Sequence, residues 1–384
     1  MKIAFIGQKG IPATSGGVER YVEELAIRLA KEGHDVICYC RSHYTPKNLK
    51  EYRGVKLVHL PTINTKYLDA IVHTFLATID VLFRRVDIIH YNAIGPSSLL
   101  WIPRILGRGA RVVSTFHSDD RRQAKWGWLA KKFLGFGAYS ALHFAHRTIT
   151  IARVQQENCR QEFGGDSVYI PYGVPQYDKV APNLITENWG LRGNDYILSI
   201  SRLVKHKGIH YLIEAYKAQK TDKKLVIVGE ASFTSEYVQE LKDLAEGNPN
   251  IIFTGEQTGQ ALAELFSNSY LFVQPSESEG LSIALLEAMS YGSAVLVSDI
   301  PENREAIADT GFTFRNKSVN DLERKLKFLL DNSQMVSEKG EEASRLVAVE
   351  HNWEQVVKKT VALYDQLLVD QAIKKFGKLV NYSR

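Results

Sequence analysis

The chain has 384 residues, a mass of 43.3 kDa and a formal net charge of +5. Its 45% apolar and 24% charged residues are ordinary for globular proteins and exclude a disordered or low-complexity chain. The length predicts two or three domains. Three cysteines are too few for a disulfide framework, and MKIAFIG at 1–7 reads as a strand rather than a secretory signal, so we expect a cytoplasmic protein.

The first half of the chain alternates short β-branched runs with helical patterns at 18–33 and 97–107. The short runs are almost continuously apolar, which is typical of parallel strands buried on both faces. The predicted strands are 2–7, 35–40, 55–60, 87–92, 111–116, 147–151 and 167–171. Polar residues interrupt the most apolar stretch, 67–83, so we expect no membrane-spanning helix.

The alternation restarts after residues 171–183, which contain three prolines and read as a linker. After about residue 320 the pattern is only helical. The two series of alternating strands and helices predict an α/β fold with two Rossmann-like, doubly wound domains. Ligands of such sheets bind beyond the carboxyl ends of the strands, so we expect the site in the cleft between the domains. The predicted strands of this half are 196–201, 224–229, 250–255, 270–276 and 294–299.

The loop SRLVKHKG (201–208) follows a predicted strand and precedes a predicted helix. It contains Arg202 and Lys207. Two cations beside free helix amides suit a diphosphate, and two solvated surface cations fit the pattern equally well.

The segment PSESEGLSIALLEAMSYGSAVLVSD (275–299) is the most specific in the chain. Glu279 and Gly280 follow a predicted strand, and we expect a helix from near Leu281 whose positive end faces an anion. Glu287 lies in this mostly apolar helix, where a buried carboxylate needs a partner such as a sugar or ribose hydroxyl. The alternative is an ordinary polar residue on an amphipathic helix.

The loop GQKGIPATSGGVERY (7–21) follows the first predicted strand. Gly16 and Gly17 precede a helix and allow close approach of a phosphate or an acceptor. Gly7 and Gly10 have the wrong spacing for a dinucleotide fingerprint, which argues against a nicotinamide-dependent dehydrogenase.

The segment TFHSDDRRQAKWG (115–127) follows another predicted strand, and His117 stands at the strand end. A histidine there is either functional or structural, and Asp120 and Lys125 follow it. Cys38 and Cys40 face one side of a strand without a nearby histidine cluster, so we predict core packing and no metal site.

The segments SRLVKHKG and E-G-L-S-I-A-L-L-E, in this order, resemble the signature of family-4 glycosyltransferases of the GT-B fold. The resemblance covers nearly the whole chain. It implies metal-independent transfer of a sugar from a nucleotide diphosphate sugar with retention of anomeric configuration. By this resemblance Arg202 and Lys207 bind the donor diphosphate. Glu279 lies near the donor sugar, and Glu287 binds the ribose hydroxyls.

The same resemblance places the amides of Leu281 and Ser282 over the phosphates, although these residues replace the common Phe-Gly pair. Gly16 and Gly17 match the glycine loop of the family and are expected to bind the donor. His117 matches the histidine that contacts the donor sugar near the reacting carbon. With Asp120 and Lys125 it also resembles the H-x-x-D-x-x-x-x-K-W pattern of a subgroup that includes rhamnosyltransferases.

The resemblance implies an acceptor-binding domain at 1–173, with a C-terminal helix at about 365–384 packing back on it, and a donor-binding domain at 174–364. The expected partners are a nucleotide-sugar donor and a glycan or lipid-linked acceptor, with no cofactor. No motif supports nucleic acid. The basic stretch 131–147 suits either the inner face of a membrane or an amphipathic core helix. A nucleotide-sugar epimerase of the same fold and a catalytically inactive binding protein are the alternative functions.

Overall fold

The computed structural model describes the whole chain except residues 15, 66–67, 108, 123–126, 232–234 and 383–384, and only the backbone of 122, 235 and 375–382. The chain divides into two compact units. Unit 1 comprises Met1–Gly173 and Trp353–Arg384, and unit 2 comprises Val174–Asn352. Each unit contains one mainly parallel sheet connected by helices, which confirms the predicted α/β class with two Rossmann-like domains. Within the described residues, no helix is both long and apolar enough to cross a membrane.

Unit 1 contains an eight-stranded sheet in the order β3-β4-β2-β1-β5-β6-β7-β8. Its strands are β1 (Lys2–Ile6), β2 (Asp35–Arg41), β3 (Glu51–Tyr52), β4 (Val55–Leu60), β5 (Ile88–Asn92), β6 (Arg111–Phe116), β7 (Arg147–Thr150) and β8 (Val168–Tyr169). All neighbouring strands are parallel except β3 and β4. Strand β3 was not predicted, because Glu51 and Tyr52 stand between Lys50 and Arg53 and form no apolar run.

The helices of unit 1 before its C-terminal part are α1 (Gly17–Lys31), α2 (Leu68–Leu82), α3 (Ile94–Ser97), α4 (Trp101–Leu106), α5 (Trp128–Phe144) and α6 (Arg153–Phe163). The predicted helix at 97–107 is wrong as a single element, since α3 and α4 are separate. Pro103 has no N–H to donate to the Leu99 carbonyl, which instead accepts a tighter bond from the Ile102 amide at 3.1 Å.

The central strands of unit 1 are apolar because helices cover both faces of the sheet. Ile6 stands opposite Tyr91, and Ile89 stands opposite Val112, in parallel register. All four side chains are buried in one core cluster. This two-sided burial explains why the strands read as continuous apolar runs rather than alternating ones.

Unit 2 contains a six-stranded, wholly parallel sheet in the order β11-β10-β9-β12-β13-β14. Its strands are β9 (Tyr196–Ile200), β10 (Lys224–Val228), β11 (Ile251–Gly255), β12 (Leu271–Gln274), β13 (Val295–Ser298) and β14 (Phe312–Phe314). The first five were predicted and are confirmed. The sequence analysis missed β14, which has only three residues.

The helices of unit 2 are α7 (Leu184–Trp189), α8 (Ile209–Lys217), α9 (Ser235–Ala245), α10 (Gly259–Ser267), α11 (Ile283–Ser290), α12 (Pro301–Ile307), α13 (Val319–Leu330) and α14 (Ser333–Glu350). Helix α11 begins at Ile283 and not near Leu281. Ser282 is its cap, because the Ser282 hydroxyl accepts a hydrogen bond from the Leu285 amide at 3.3 Å.

The last helix, α15 (Trp353–Tyr382), belongs to unit 1. The Trp353 and Tyr21 ring centres lie 5.9 Å apart, and the Arg28 guanidinium lies over the Trp353 ring, 4.7 Å from its centre. Further along α15, the Tyr364 hydroxyl lies 2.6 Å from Nδ1 of His90. Because these contacts begin at Trp353, unit 2 ends at Asn352, earlier than the expected boundary at 364.

Candidate functional site

The strand order of unit 2 reverses between β9 and β12, which are direct neighbours. The chain leaves these two strands in opposite directions, so a crevice opens at their carboxyl ends. Arg202 and Lys207 follow β9, and Glu277 and Glu279 follow β12. The topology therefore brings together two loops that are far apart in the sequence.

Lys207 and Glu279 form an ion pair in this crevice. Lys207 Nζ lies 2.6 Å from Glu279 Oε1, and the two side chains are only 15% and 8% exposed. Burial opposes ionisation of the Glu279 carboxyl, but the Lys207 ammonium outweighs it and holds the pKa of Glu279 below its ordinary value. The pair is therefore charged at neutral pH and held in one geometry.

The backbone around Lys207 is fixed by close packing. Residues Lys205–Lys207 form a single turn of 3₁₀-helix, which ends at Gly208 with φ +68°. A Cβ at Gly208 would collide with the carbonyl oxygen of Pro275, so only glycine fits there. The Glu277 amide donates to the His206 carbonyl at 2.8 Å and ties the two loops together.

Glu277 has partners on both sides of the crevice. Its Oε1 accepts a hydrogen bond from the Tyr211 hydroxyl at 2.8 Å, and its Oε2 lies 2.9 Å from Lys317 Nζ. Burial raises the pKa of this carboxyl, but the hydrogen bonds from Lys317 and Tyr211 prevail and lower it. Glu277 thus holds the loop of Glu279 between α8 and the residues after β14.

The other predicted residues of this loop lie where α11 begins. Arg202 is exposed, and its guanidinium forms no ion pair with any residue that the structure describes. Gly280 is half-buried and Leu281 is buried. Ser282 caps α11, whose first amides have no partner within the helix. One exposed cation and these amides can bind an anion here.

Glu287 lies on α11 and is half-buried. The Tyr177 hydroxyl donates a hydrogen bond to Glu287 Oε1 at 3.3 Å, and the Tyr177 ring stacks on Tyr291 at 4.5 Å. The protein itself therefore supplies a partner, and the burial of Glu287 does not by itself require a ligand. Sequence reasoning missed Tyr177, because it lies in the segment that reads as a linker.

The sheet of unit 1 has its own reversal of strand order, between β1 and β5. His117 follows β6 and is 3% exposed. Asn92 Oδ1 lies 3.1 Å from its Nε2, and the Tyr172 hydroxyl lies 2.6 Å from its Nδ1. The Asn92 amide nitrogen donates to Gln8 Oε1 at 3.3 Å, so its oxygen is the acceptor for His117.

This arrangement fixes the protonation of His117. Nε2 carries the proton that is donated to Asn92, and Nδ1 accepts the proton of the Tyr172 hydroxyl. Burial, with a smaller contribution from His90, lowers the pKa of His117 to about 3. The imidazole is therefore neutral at physiological pH and has both nitrogens engaged. Asn92 was not predicted as a site residue. It is the last residue of β5, and a position at a strand end is the signal by which His117 was predicted.

The glycine loop of unit 1 lies at the start of α1. Gly16 has φ +97°, and a Cβ there would collide with the carboxylate of Glu19. Glu19 Oε1 accepts the Lys9 amide at 3.1 Å, so this carboxylate ties the loop down. Gly17 is the first residue of α1.

The residues after His117 have local partners. The Ser118 hydroxyl donates to Asp120 Oδ1 at 2.8 Å. Lys125, the other predicted acceptor-side residue, lies outside the described residues. Cys38 and Cys40 are buried free thiols in β2, and Cys38 Sγ accepts a hydrogen bond from the Gln8 amide at 3.1 Å.

Two protein-family models match the chain. Residues 15–176 match Glycosyltransferase Family 4, and residues 185–346 match Glycosyl transferases group 1. Each model lies on one of the two sheets.

The individual relatives have low sequence identity to this chain. The GDP-mannose-dependent alpha-mannosyltransferase of Corynebacterium glutamicum is 24% identical over 76% of this chain and 71% of its own length. The N,N'-diacetylbacillosaminyl-diphospho-undecaprenol alpha-1,3-N-acetylgalactosaminyltransferase of Campylobacter jejuni is 26% identical over 48% of each chain. Across four curated relatives of 24–30% identity, the chain spans between 27% and 71% of the relative's own length.

Among solved structures, Anabaena Alr3699/HepE in complex with UDP and glucose is similar over 95% of this chain and 100% of that chain. The TM-score is 0.80 at 19% identity, which is evidence for the fold alone. The two family models follow one another along the chain and each matches most of one Rossmann-like unit, so the chain is similar to glycosyltransferases of family 4 in unit 1 and of group 1 in unit 2.

Proposed function

We propose that the protein is a retaining glycosyltransferase that moves a hexose or deoxyhexose from a nucleotide diphosphate sugar to a glycan or lipid-linked acceptor. The observation that carries this proposal is the buried Lys207–Glu279 pair at the strand-order reversal of unit 2. It supplies a fixed cation for a diphosphate beside a fixed carboxylate for sugar hydroxyls. The exposed Arg202 lies in the same loop and adds a second cation.

In the proposed reaction, the bond between the anomeric carbon and the diphosphate oxygen breaks. The acceptor oxygen forms a bond to that carbon on the same face, and its proton passes to the leaving phosphate. Negative charge develops on the diphosphate as the bond breaks. Lys207, which Glu279 holds in place, the exposed Arg202 and the first amides of α11 would stabilise that charge. Because these groups supply the positive charge, we propose a reaction that needs no metal ion.

The remaining donor contacts are assigned on the same basis. Glu287 is the proposed acceptor for the ribose hydroxyls, and Tyr177 holds its carboxylate in one orientation. The amides of Leu281 and Ser282, next to Gly280, are the proposed contacts to the phosphates. In unit 1, we propose that neutral His117 contacts the donor sugar. Since both its nitrogens are engaged, a sugar hydroxyl would replace one of its hydrogen bonds.

The acceptor side belongs to unit 1 in this proposal, with Asp120 and Lys125 as its candidate contacts. Gly16 and Gly17, also in unit 1, are proposed to contact the donor. The relatives guide the choice of substrates to test. One is named as dependent on GDP-mannose, one acts on a diphospho-undecaprenol glycan, and one structure holds UDP and glucose. We propose that the protein works in the cytoplasm in cell-surface polysaccharide synthesis, at the inner face of the membrane when the acceptor is lipid-linked.

The test begins with the thermal unfolding midpoint of the protein in UDP, GDP, dTDP or ADP. A nucleotide that binds only the folded state stabilises it by about 2.7 kcal/mol at 100 times its Kd, so one base should raise the midpoint. The matching nucleotide sugar, radiolabelled in the sugar, is then incubated with a polyprenyl-diphosphate glycan fraction. Transfer of label and an unchanged anomeric configuration in the product are expected. If none of the nucleoside diphosphates stabilises the protein, the proposal fails.

The same assay without acceptor separates the alternatives. An epimerase would convert the nucleotide sugar to its epimer in the absence of any acceptor. An inactive binding protein would be stabilised by the nucleotide and would leave the nucleotide sugar unchanged in every mixture. Either result would overturn transfer while leaving donor binding intact.

A further inference from the structure

Large exposed apolar side chains of unit 1 concentrate on three helices. Phe75 and Ile79 lie four residues apart on α2, and Phe83 lies four residues further on, immediately after the last residue of α2. The most exposed of the three, Phe83, is 73% exposed. Residues at this spacing lie on one side of a helix. The corresponding exposed residues are Trp101, Ile105 and Leu106 on α4, and Trp128, Leu129, Phe133 and Phe136 on α5.

These helices form one layer. The connections β4–β5, β5–β6 and β6–β7 all progress in the same direction across the sheet. Right-handed crossovers therefore place α2, α4 and α5 on one face, and α1, which connects strands in the opposite direction, on the other. Helix α4 contacts both α2 and α5. The exposed residues of the three helices thus belong to one layer on the same face of the sheet, and together they are called here the α2–α4–α5 surface.

The charge of this region is strongly positive. Residues 68–147 contain eleven lysines and arginines, five aspartates and no glutamate, an excess larger than the +5 of the whole chain. Helices α4 and α5 contain no acidic residue, whereas Arg104, Lys131 and Lys132 are exposed on them. Lys132 Nζ lies 4.2 Å from the centre of the Trp128 ring, so a cation and an aromatic side chain are neighbours on α5.

The two aspartates of α2 are neutralised inside the unit. Asp69 pairs with Arg41 at 2.5 Å. Asp80 accepts the Tyr39 hydroxyl at 2.6 Å and pairs with Arg84. The α2–α4–α5 surface therefore combines aromatic and aliphatic side chains with cations, and the two carboxylates of α2 are already paired.

We propose that the α2–α4–α5 surface binds the surface of a bilayer that contains anionic lipids. Trp128, Leu129 and Phe133 would insert between the headgroups, and Lys131 and Lys132 would contact the lipid phosphates. Apolar insertion and attraction between cations and anionic lipids are the two contributions to interfacial binding. Tryptophan is favoured at that depth, because its ring is apolar and its N–H is polar.

A second copy of the chain fits this surface less well than a bilayer does. A two-fold contact places the same surface against itself. Lys131, Lys132 and Arg104 would then face an equal set of cations, with no carboxylate on α4 or α5 to pair with them. The charge of the surface thus favours an anionic lipid phase over self-association.

The test measures sedimentation of the full chain with vesicles, without donor or acceptor. One set of vesicles is pure phosphatidylcholine, and the other contains phosphatidylglycerol as well. We expect binding to the anionic vesicles that is at least about tenfold stronger than to the neutral ones and that weakens with added salt. Trp128→Ser with Leu129→Ser should weaken binding to anionic vesicles by about tenfold or more, and so should Lys131→Glu with Lys132→Glu.

The matched controls lie in unit 2. Phe328→Ser with Val349→Ser removes exposed apolar residues, and Lys325→Glu with Lys327→Glu reverses two exposed lysines. Both control proteins should bind as the wild type does. Since every substituted side chain is exposed, all variants should keep the wild-type thermal unfolding midpoint, and that measurement detects any that do not fold.

Three results would overturn the proposal. The wild type could bind neither kind of vesicle, or the α5 variants could bind as tightly as the controls. The third is a dimer of the wild type in lipid-free solution that Trp128→Ser with Leu129→Ser dissociates, which would assign the surface to a second copy. Because no sugar substrate is present, none of these results bears on the proposed transferase activity.

Discussion

The two sheets share one architecture, but the polar side chains at the carboxyl ends of their strands differ. At the strand-order reversal of unit 2, Lys207 and Glu279 form a charged pair. At the reversal of unit 1, Asn92 ends β5 and lies in a neutral network with His117, which follows the neighbouring strand β6, and with Tyr172. The same topology thus creates a crevice in each unit, and the side chains at its rim decide which ligand chemistry it suits.

The difference matches the two substrates of the proposed reaction. A diphosphate carries concentrated negative charge, which fixed cations stabilise. A sugar hydroxyl is neutral, and a neutral donor–acceptor network binds it without the cost of burying an uncompensated charge. Unit 1 contains a second buried histidine with neutral partners. Nδ1 of His90 lies 2.6 Å from the Tyr364 hydroxyl oxygen, and Nε2 of His90 lies 2.6 Å from Thr115 Oγ1.

The largest expected effect comes from breaking the charged pair. Glu279→Gln keeps the shape of the side chain and removes its charge, and Lys207→Ala removes the cation. For either change we expect kcat/KM of sugar transfer to fall by about 10²–10³, the range found when one electrostatic contact to a developing charge is lost. The measurement is transfer of radiolabelled sugar at a series of donor concentrations.

The control for this comparison is Lys205→Ala. Lys205 lies in the same 3₁₀ turn as Lys207 but is exposed. We expect its removal to change kcat/KM by no more than about twofold, since exposed pairs contribute little. Equal losses for Lys205→Ala and Lys207→Ala would mean that general charge, and not the buried pair, supports activity.

The next effect concerns the neutral network of unit 1. Burial lowers the pKa of His90 to about 3, below its ordinary value of 6.5. As the pH falls below the ordinary value, the unfolded chain takes up a proton that folded His90 does not. The free energy of unfolding of unit 1 should therefore decrease, by about 2 kcal/mol between about pH 7.5 and about pH 5 for this one histidine.

Amide hydrogen exchange of β5 and β6, corrected for intrinsic rates, measures this loss. His90→Gln should remove about 2 kcal/mol of the pH dependence, whatever it does to stability at neutral pH. His143→Gln is the control, because His143 is exposed on α5. In unit 2, exchange of β9 and β10 should change less over this range, since its buried pair remains charged. A pH dependence unaffected by His90→Gln would contradict the neutral-network description.

The smallest expected effect concerns the helices that follow the two glycine-containing loops. In unit 2, the Ser282 side chain caps α11, whereas Gly16 precedes α1 without a side-chain cap. Ser282→Ala should lower the stability of unit 2 by about 1 kcal/mol. The measurement is urea unfolding followed by exchange of the α11 amides. Ser333→Ala at the exposed start of α14 should have almost no effect.

Much of the fold could be predicted from the sequence. The strands of both sheets were found because burial on two faces leaves a continuous apolar run, as in β1 and β12. The errors occurred where this signal is short or interrupted. Strand β3 contains no apolar run, β14 has only three residues, and Pro103 separated α3 from α4.

The candidate site was predictable where a residue lies at the end of a strand or in the loop that follows it. His117 and Glu279 were found in this way, and Asn92 satisfies the same rule. Tyr172, Tyr177 and Trp353 were not predictable, because they lie in a loop or begin a distant helix. Only folding places them against His117, Glu287 and Tyr21.

The sequence by itself determined the α/β class, the two alternating series and the residues beyond the strand ends, because periodicity and turn residues are local properties of the chain. Tertiary structure decided which of those residues meet. The pairing of β9 with β12 brought Lys207 to Glu279, and the return of α15 brought Tyr364 to His90. Tertiary structure also decided which apolar residues remained exposed on α2, α4 and α5, since exposure depends on the elements packed around a helix and not on its own sequence.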